Sequence, residues 1–245
     1  MPSDDDPQSC ACPMSNDYFK FRQFTIHQGR CAMKVGTDGT LLGAWARGGK
    51  RILDIGTGTG LIALMMAQRF PEAQVTGFDI DEQAVAQARE NVALSPFVSR
   101  INMMCQDARC YEPDDAYDAV VSNPPFYDRS LVCPDDRRSL ARHTSSLDYR
   151  SLFSLVQRCL DDEGEFSVVI PYESQSKLES EASLAGFFKV RQCAVKTTPR
   201  KAPRRYLLAF AKHPSALFVP EEGVIEEEPG RRSSWYTELT KDFYL

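Results

Sequence analysis

The sequence has no apolar run approaching the ~18 residues that a membrane-spanning helix needs. It also lacks the positive charge that opens a signal peptide; Asp4, Asp5 and Asp6 stand there instead. A cytoplasmic location with no membrane partner is therefore expected. Cysteine is present, eight in all, but in no useful arrangement. Cys10-x-Cys12 has no second pair at zinc spacing, so no metal is expected, and reduced thiols are favoured over a disulfide framework. A surplus of positive charge is missing too, since the net charge is −5. That sum points away from nucleic acid, although the distribution of charge matters more than its total. No internal repeat is visible.

What is present suits one large α/β domain: 245 residues, 42% hydrophobic and 26% charged. Residues 1–17 are polar, hold three prolines and show no periodicity, so a disordered tail is expected there. Residues 18–245 read as a single domain. It divides into a capping segment (18–50), a core (51–211) and a C-terminal extension (212–245).

The rest of the chain can be read around Asn123-Pro124-Pro125-Phe126. It follows Tyr117-Asp118-Ala119-Val120-Val121-Ser122, a run of the kind that forms a buried strand. Two prolines cannot continue a sheet ladder, because neither has an N–H to donate. The strand must stop at Asn123, which leaves a polar amide at its carboxyl end. In open α/β sheets ligands bind at that edge. The aromatic Phe126 can stack on a base. Together these make a clamp for a planar amino group. The alternative is a strand end and nothing more.

Upstream, Ile52-Leu53-Asp54-Ile55 reads as a strand running into Gly56-Thr57-Gly58-Thr59-Gly60 and then a helix. Strand, glycine turn and helix is the nucleotide-cradling arrangement, because glycine lets the backbone approach a ligand and the helix start offers free N–H groups. A glycine loop alone is weak support. The next strand, Gln74–Phe78, ends in Asp79, whose carboxylate can accept two ribose hydroxyls. Glu82–Leu94 reads as a helix and Ile101–Cys105 as a third strand. Asp107, which follows, can bond an adenine amino group or simply cap a helix.

Elsewhere Tyr18–Phe24 alternates like a strand. Thr37 or Asp38 is placed to cap a helix carrying Leu41, Leu42 and Trp45. Asp148 is placed to cap an amphipathic helix. Glu163-Gly164 reads as a turn into a strand over Phe166–Ile170. A helix ending near Gly186 follows, then strands over Phe187–Val195 and Arg205–Phe210. Residues 212–233 read as irregular, and Trp235–Leu245 as a closing helix. Two basic clusters stand out. Arg137, Arg138 and Arg142 lie in a long segment, 127–147, that starts at the clamp and reads as a substrate loop. Arg200, Lys201, Arg204 and Arg205 lie with Lys196 in a stretch without an acid. Such clusters give a local phosphate-binding field even on an acidic protein. The alternative is a solvated loop.

Asp54-x-Gly56-x-Gly58-x-Gly60, then Asp79, then Asn123-Pro124-Pro125-Phe126 resembles the S-adenosylmethionine-dependent amino methyltransferases. Three further stretches resemble one family, the bacterial valine-tRNA adenine-N6 methyltransferases that modify the base just 3′ of the anticodon. They are Phe19–Phe24, Arg30–Gly39 through Trp45, and Tyr236-Thr237-x-Leu239-Thr240-x-x-Phe243-Tyr244-Leu245. The resemblance covers everything after residue 17. It implies a class I methyltransferase fold, Rossmann-like, with a seven-stranded mostly parallel sheet, one antiparallel strand and helices on both faces. It implies S-adenosyl-L-methionine as cofactor, held by Lys34, Thr37, Asp38, Asp54, Gly56, Gly58, Gly60, Asp79, Ile80, Asp107, Ala108 and Asn123. It implies methyl transfer at Asn123, Pro124 and Phe126. The substrate it implies is an adenine N6 in the anticodon loop of tRNA(Val), and a monomer is expected.

One departure bears on the base. Many adenine methyltransferases carry Tyr where this chain has Phe126, and Phe there also appears in guanine-N2 methyltransferases of ribosomal RNA. Protein glutamine methyltransferases share the Asn-Pro-Pro clamp and form a second alternative. A nicotinamide oxidoreductase shares the glycine loop and distal acid but gives Asn-Pro-Pro-Phe no role. A non-catalytic RNA-binding module explains the basic loop but not the glycine fingerprint.

Overall fold

The computed structural model describes residues 17–31, 34–124 and 147–244. In chain order these form β1 (Tyr18–Lys20), β2 (Thr25–His27), α1 (Thr37–Trp45), β3 (Arg51–Ile55), α2 (Leu61–Arg69), β4 (Gln74–Asp79) and α3 (Glu82–Ala93). Next come β5 (Ile101–Cys105), β6 (Tyr117–Ser122), α4 (Tyr149–Cys159), β7 (Leu160–Pro171), α5 (Gln175–Leu184), β8 (Phe188–Lys196) and β9 (Arg205–Ala211). The chain closes with β10 (Glu221–Val224), β11 (Glu226–Glu228), β12 (Arg231–Arg232) and α6 (Ser234–Thr240).

Eight strands make the central sheet, in the order β10-β8-β9-β7-β6-β3-β4-β5. All run parallel except β9, which is antiparallel to both β7 and β8. A parallel sheet is stable only with both faces covered, so its strands are apolar throughout. Ile52, Ala119, Val121, Val169 and Leu207 face one core with α1, α2, α3 and α6. Leu53, Val120, Phe166, Val168 and Leu208 face the other, with α4 and α5.

The chain leaves β3 for β4 on one side, while β6 lies against β3 on the other. Crossovers on opposite sides open a crevice at the carboxyl ends of β3 and β6, the usual ligand position in such sheets. The Ser122 hydroxyl donates to the Ile55 carbonyl at 2.9 Å and pins the two strand ends together there.

Several expectations need correction. The sheet has eight strands rather than seven, because Glu221–Val224 adds a parallel edge to β8 inside a stretch expected to be irregular. The β11–β12 hairpin lies in the same stretch, turning at Gly230 with φ +79°. Tyr18–Phe24 is not one strand: the chain reverses where Phe21 N–H donates to Phe24 O, and β1 pairs with β2. The expected Glu163-Gly164 turn lies within the continuous β7, at a bulge where Tyr117 faces Leu160 but Ala119 faces Glu165. Neither Thr37 nor Asp38 caps α1; Gly36 stands at that position with no side-chain cap. Asp148 does cap its helix, accepting from Ser151 N–H at 2.7 Å.

Candidate active site

Asp54, the fourth residue of β3, is fully enclosed. One carboxylate oxygen accepts from the Thr57 hydroxyl at 2.6 Å and from Ala63 N–H at 3.1 Å. The Ala63 bond takes up a free donor in the first turn of α2. Burial pushes the Asp54 carboxyl up to about 7, against the opposing pull of Thr57 and Ala63. Asp54 therefore braces the glycine turn from beneath. Gly56, Gly58 and Gly60 all have positive φ, between 55° and 81°, a region L side chains avoid. A Cβ placed on Gly56 would meet no atom within 4 Å, so the turn faces open space.

Asp79, at the end of β4, holds that turn from the side. One oxygen accepts from Gly58 N–H at 3.0 Å and the other from Asp81 N–H at 3.0 Å. Each oxygen keeps a second lone pair for a ligand hydroxyl. Next to it Ile80 is 48% exposed, an apolar surface at the strand edge. Asp107 is a cap: it accepts from Arg109 N–H at 2.9 Å, and the Arg109 guanidinium occupies both its oxygens. These bonds hold its carboxyl below the usual range. Ala108 is buried against the core that includes Phe78 and Tyr111.

Asn123 stands just past β6, followed by a buried Pro124. The Asn123 Oδ1 is buried and has no hydrogen-bond partner among the described residues. Such an acceptor costs ~1–3 kcal/mol unless something donates to it. Gly39 of α1 packs close by, and a Cβ there would lie 3.9 Å from Asn123 Nδ2. Thr37 is half-buried at the start of α1, and Lys34 is exposed just before it. Asp38 is committed elsewhere, in an ion pair with Arg205 at 2.5 Å. Burial raises the Asp38 carboxyl, and Arg205 opposes the rise.

That pair corrects the reading of the basic loop. Arg205 is a partner for Asp38, and Lys196 pairs with Glu222 at 2.7 Å across β8 and β10. Arg200, Lys201 and Arg204 are exposed and form no ion pair among the described residues. The loop joins the carboxyl end of β8 to the start of β9, so it lies at the same sheet edge as Asn123. Phe126, Arg137, Arg138 and Arg142 lie outside the described residues.

Some residues that shape the site do not stand out in the sequence. Asn91 of α3 is fully buried, accepts from His27 N–H and donates to the carbonyls of His27 and Thr59. It thus ties the N-terminal segment to the glycine turn. Its only sequence signal is a polar residue on the face of α3 that carries Val85, Ala88 and Val92. Thr57 and Ser122 are signalled by a hydroxyl inside a glycine turn and at the end of an apolar strand. Among the described residues there is no cluster of three or more metal-ligating side chains, and no helix is long and apolar enough to cross a membrane.

Comparison with known proteins bears on the family and the fold. Residues 40–199 match the family described as Methyltransferase small domain. The chain is 46% identical over 235 residues to a tRNA1(Val) (adenine(37)-N6)-methyltransferase of Bacteroides thetaiotaomicron, covering 95% of this chain and 99% of that one. It is 41% identical to the protein of the same name from Tolumonas auensis, covering 95% and 98%. Among solved structures, a protein of Agrobacterium tumefaciens named a predicted O-methyltransferase superposes with a TM-score of 0.67 at 19% identity, covering 84% of this chain and 96% of that one. The glycopeptide N-methyltransferase MtfA complexed with S-adenosyl-L-methionine gives 0.54 at 13% identity, covering 74% and 100%. These likenesses show a methyltransferase fold.

Proposed function

Because the chain belongs to the family of tRNA1(Val) (adenine(37)-N6)-methyltransferases, we propose that it methylates N6 of adenine 37 in a valine tRNA, with Asn123 at the point of transfer. The observation that carries this reading is the buried Asn123 Oδ1 with no partner, at the carboxyl end of β6 beside the glycine turn. An amino N–H of the substrate completes it.

S-adenosyl-L-methionine, when bound, supplies an electrophilic methyl group on a positively charged sulfur. The residues fit it. The open turn of Gly56, Gly58 and Gly60 lets the backbone come close, and the spare lone pairs of Asp79 take the ribose hydroxyls. Ile80 offers a flat apolar surface for the purine. We assign Lys34 and Thr37, just before and at the start of α1, and Ala108, which follows β5, to the same cofactor. Asp54 braces the turn from beneath with one oxygen, through Thr57 and Ala63, and its other oxygen is buried without a partner among the described residues.

An exocyclic aromatic amine is a poor nucleophile because its lone pair is shared with the ring. Asn123 Oδ1 and the Pro124 carbonyl each accept one of its N–H groups. That draws the nitrogen towards tetrahedral geometry and frees the lone pair for attack. Phe126 holds the ring by stacking. The proton leaves after transfer, so no strong general base is needed. An anticodon-loop base is already unpaired and needs only to be splayed out.

The test uses tRNA from cells lacking the gene, the purified protein and a labelled methyl donor, with digestion and mass spectrometry to place the label. N6-methyladenine at position 37 of valine tRNA is expected. Asn123→Ala should keep cofactor affinity and lose turnover by about 10²-fold or more, the scale of removing one transition-state contact. N2-methylguanine, or label only in ribosomal RNA, overturns the substrate while leaving the clamp. Near wild-type turnover by folded Asn123→Ala overturns the clamp.

A further inference from the structure

A cleft of about 390 Å³ opens at the carboxyl end of β7, lined by Asp38, Pro171, Glu173, Pro203, Arg204 and Arg205. It lies at the sheet edge that carries Asn123, because β6 and β7 are parallel neighbours. The two are joined through α1: Asp38 lines the cleft and the next residue, Gly39, packs against Asn123. Its charges nearly balance. Asp38 and Arg205 neutralise one another, and the lining adds one further acid, Glu173, and one further base, Arg204. A lone phosphate would want a surplus of cations. A nucleobase edge presents both donors and acceptors and suits a mixed lining.

The second observation is aromatic. Tyr172 is not itself a lining residue; it stands at the rim, between Pro171 and Glu173 in the chain, and is 45% exposed. Tyr206 covers part of it, with ring centroids 5.3 Å apart and 23° between the planes. Tyr172 N–H donates to the Arg204 carbonyl at 3.0 Å, which fixes the aromatic residue against the arginine loop. An exposed aromatic ring, backed by a second ring and tied to the loop that carries the exposed Arg204, is an arrangement by which proteins hold unpaired nucleotides.

We propose that the rim of this cleft seats a nucleotide adjacent in the strand to the methylated adenine, with its base on Tyr172 beside the cleft and its phosphate at Arg204. The proposal rests on the RNA substrate proposed above and extends it. Tyr172 is then a positioning residue: it holds the strand so that the neighbouring base reaches Asn123.

The test is a mutant cycle between protein and RNA. Binding and methylation of a synthetic anticodon stem-loop are measured with wild-type protein, Tyr172→Ala and Tyr172→Phe. Each is offered the intact loop and loops made abasic on one or the other side of the target. Tyr172→Ala should weaken binding of the intact loop about tenfold, the scale of one stacked base. It should raise KM more than it lowers kcat, and cofactor affinity should not change. Tyr172→Phe keeps the ring and should keep the affinity. Removing the base at one flanking position should cost wild-type protein the same factor and cost Tyr172→Ala little more, since the contact is already gone. Unchanged binding by Tyr172→Ala, or losses that simply add at both flanks, would overturn the subsite while wild-type methylation of the target adenine keeps the function intact. A wild type that methylates no tRNA adenine overturns both.

Discussion

Asp54 is a carboxylate enclosed by protein on every side, and that sets how it titrates. Its sequence position, four residues into a strand and two before the first glycine, marks it as part of the loop fingerprint. What the sequence does not carry is its enclosure, because that depends on α2 and β4 closing over it. The sign of the pH effect follows from the enclosure. The folded-state value is raised to about 7 from the ordinary 3.8. Between those values the folded protein holds a proton that the unfolded chain has released, so this group's contribution to stability falls as pH rises. The slope is at most about 1.4 kcal/mol per pH unit for one group. Asp54→Asn removes it. The stability difference between wild type and Asp54→Asn should therefore shift against the wild type as pH rises from about 4 to about 7, read by denaturant titration at several pH values. A difference that stays level across that window means that Asp54 is already ionised in the folded protein.

Among the elements, the β3–α2 turn shows how a local motif depends on its neighbour. Its glycines permit the conformation, but Asp79 on the adjacent strand holds it, through Gly58 N–H. Asp79→Ala removes both the ligand acceptors and this brace. Cofactor affinity should fall by more than tenfold, since each charge-assisted bond is worth ~1.5–3 kcal/mol. Calorimetry on the folded variant checks this, and unchanged affinity would remove Asp79 from the site. The parallel core was legible because its strands are buried on both faces and read as short apolar runs between turn signals. β10 was not. Glu221-Glu222-Gly223-Val224 has no alternation and a single β-branched residue, and its place comes from partners elsewhere in the chain. Lys196 pairs with Glu222, and Trp235 packs so close to Gly223 that a Cβ would lie 2.4 Å from its ring. The start of α1 misled for the opposite reason. Asp38 suits a cap, but Arg205, from the far end of the chain, takes its carboxylate.

At the scale of the whole molecule the question is how a chain of net charge −5 holds a polyanion. The topology answers it by placement. The carboxyl ends of β3, β4, β6, β7 and β8 share one edge, because these strands are parallel. The loop between β8 and β9 therefore reaches the edge where Asn123 stands. In the sequence its cations look alike, but the structure separates them: Lys196 and Arg205 are held in ion pairs, while Arg200, Lys201 and Arg204 are free for phosphate among the described residues. Replacing those three with Ala should weaken tRNA binding and flatten its salt dependence. Each lost phosphate contact lowers the slope of log K against log salt by ~0.7–0.9, so a change of about 2 to 3 is expected. Lys196→Ala, which loses an ion pair with Glu222 instead, should leave the slope nearly unchanged. Binding measured from low to moderate salt for the three proteins separates the cases. If the triple variant keeps the wild-type slope, the loop is a solvated bystander, and the phosphates are held by other residues.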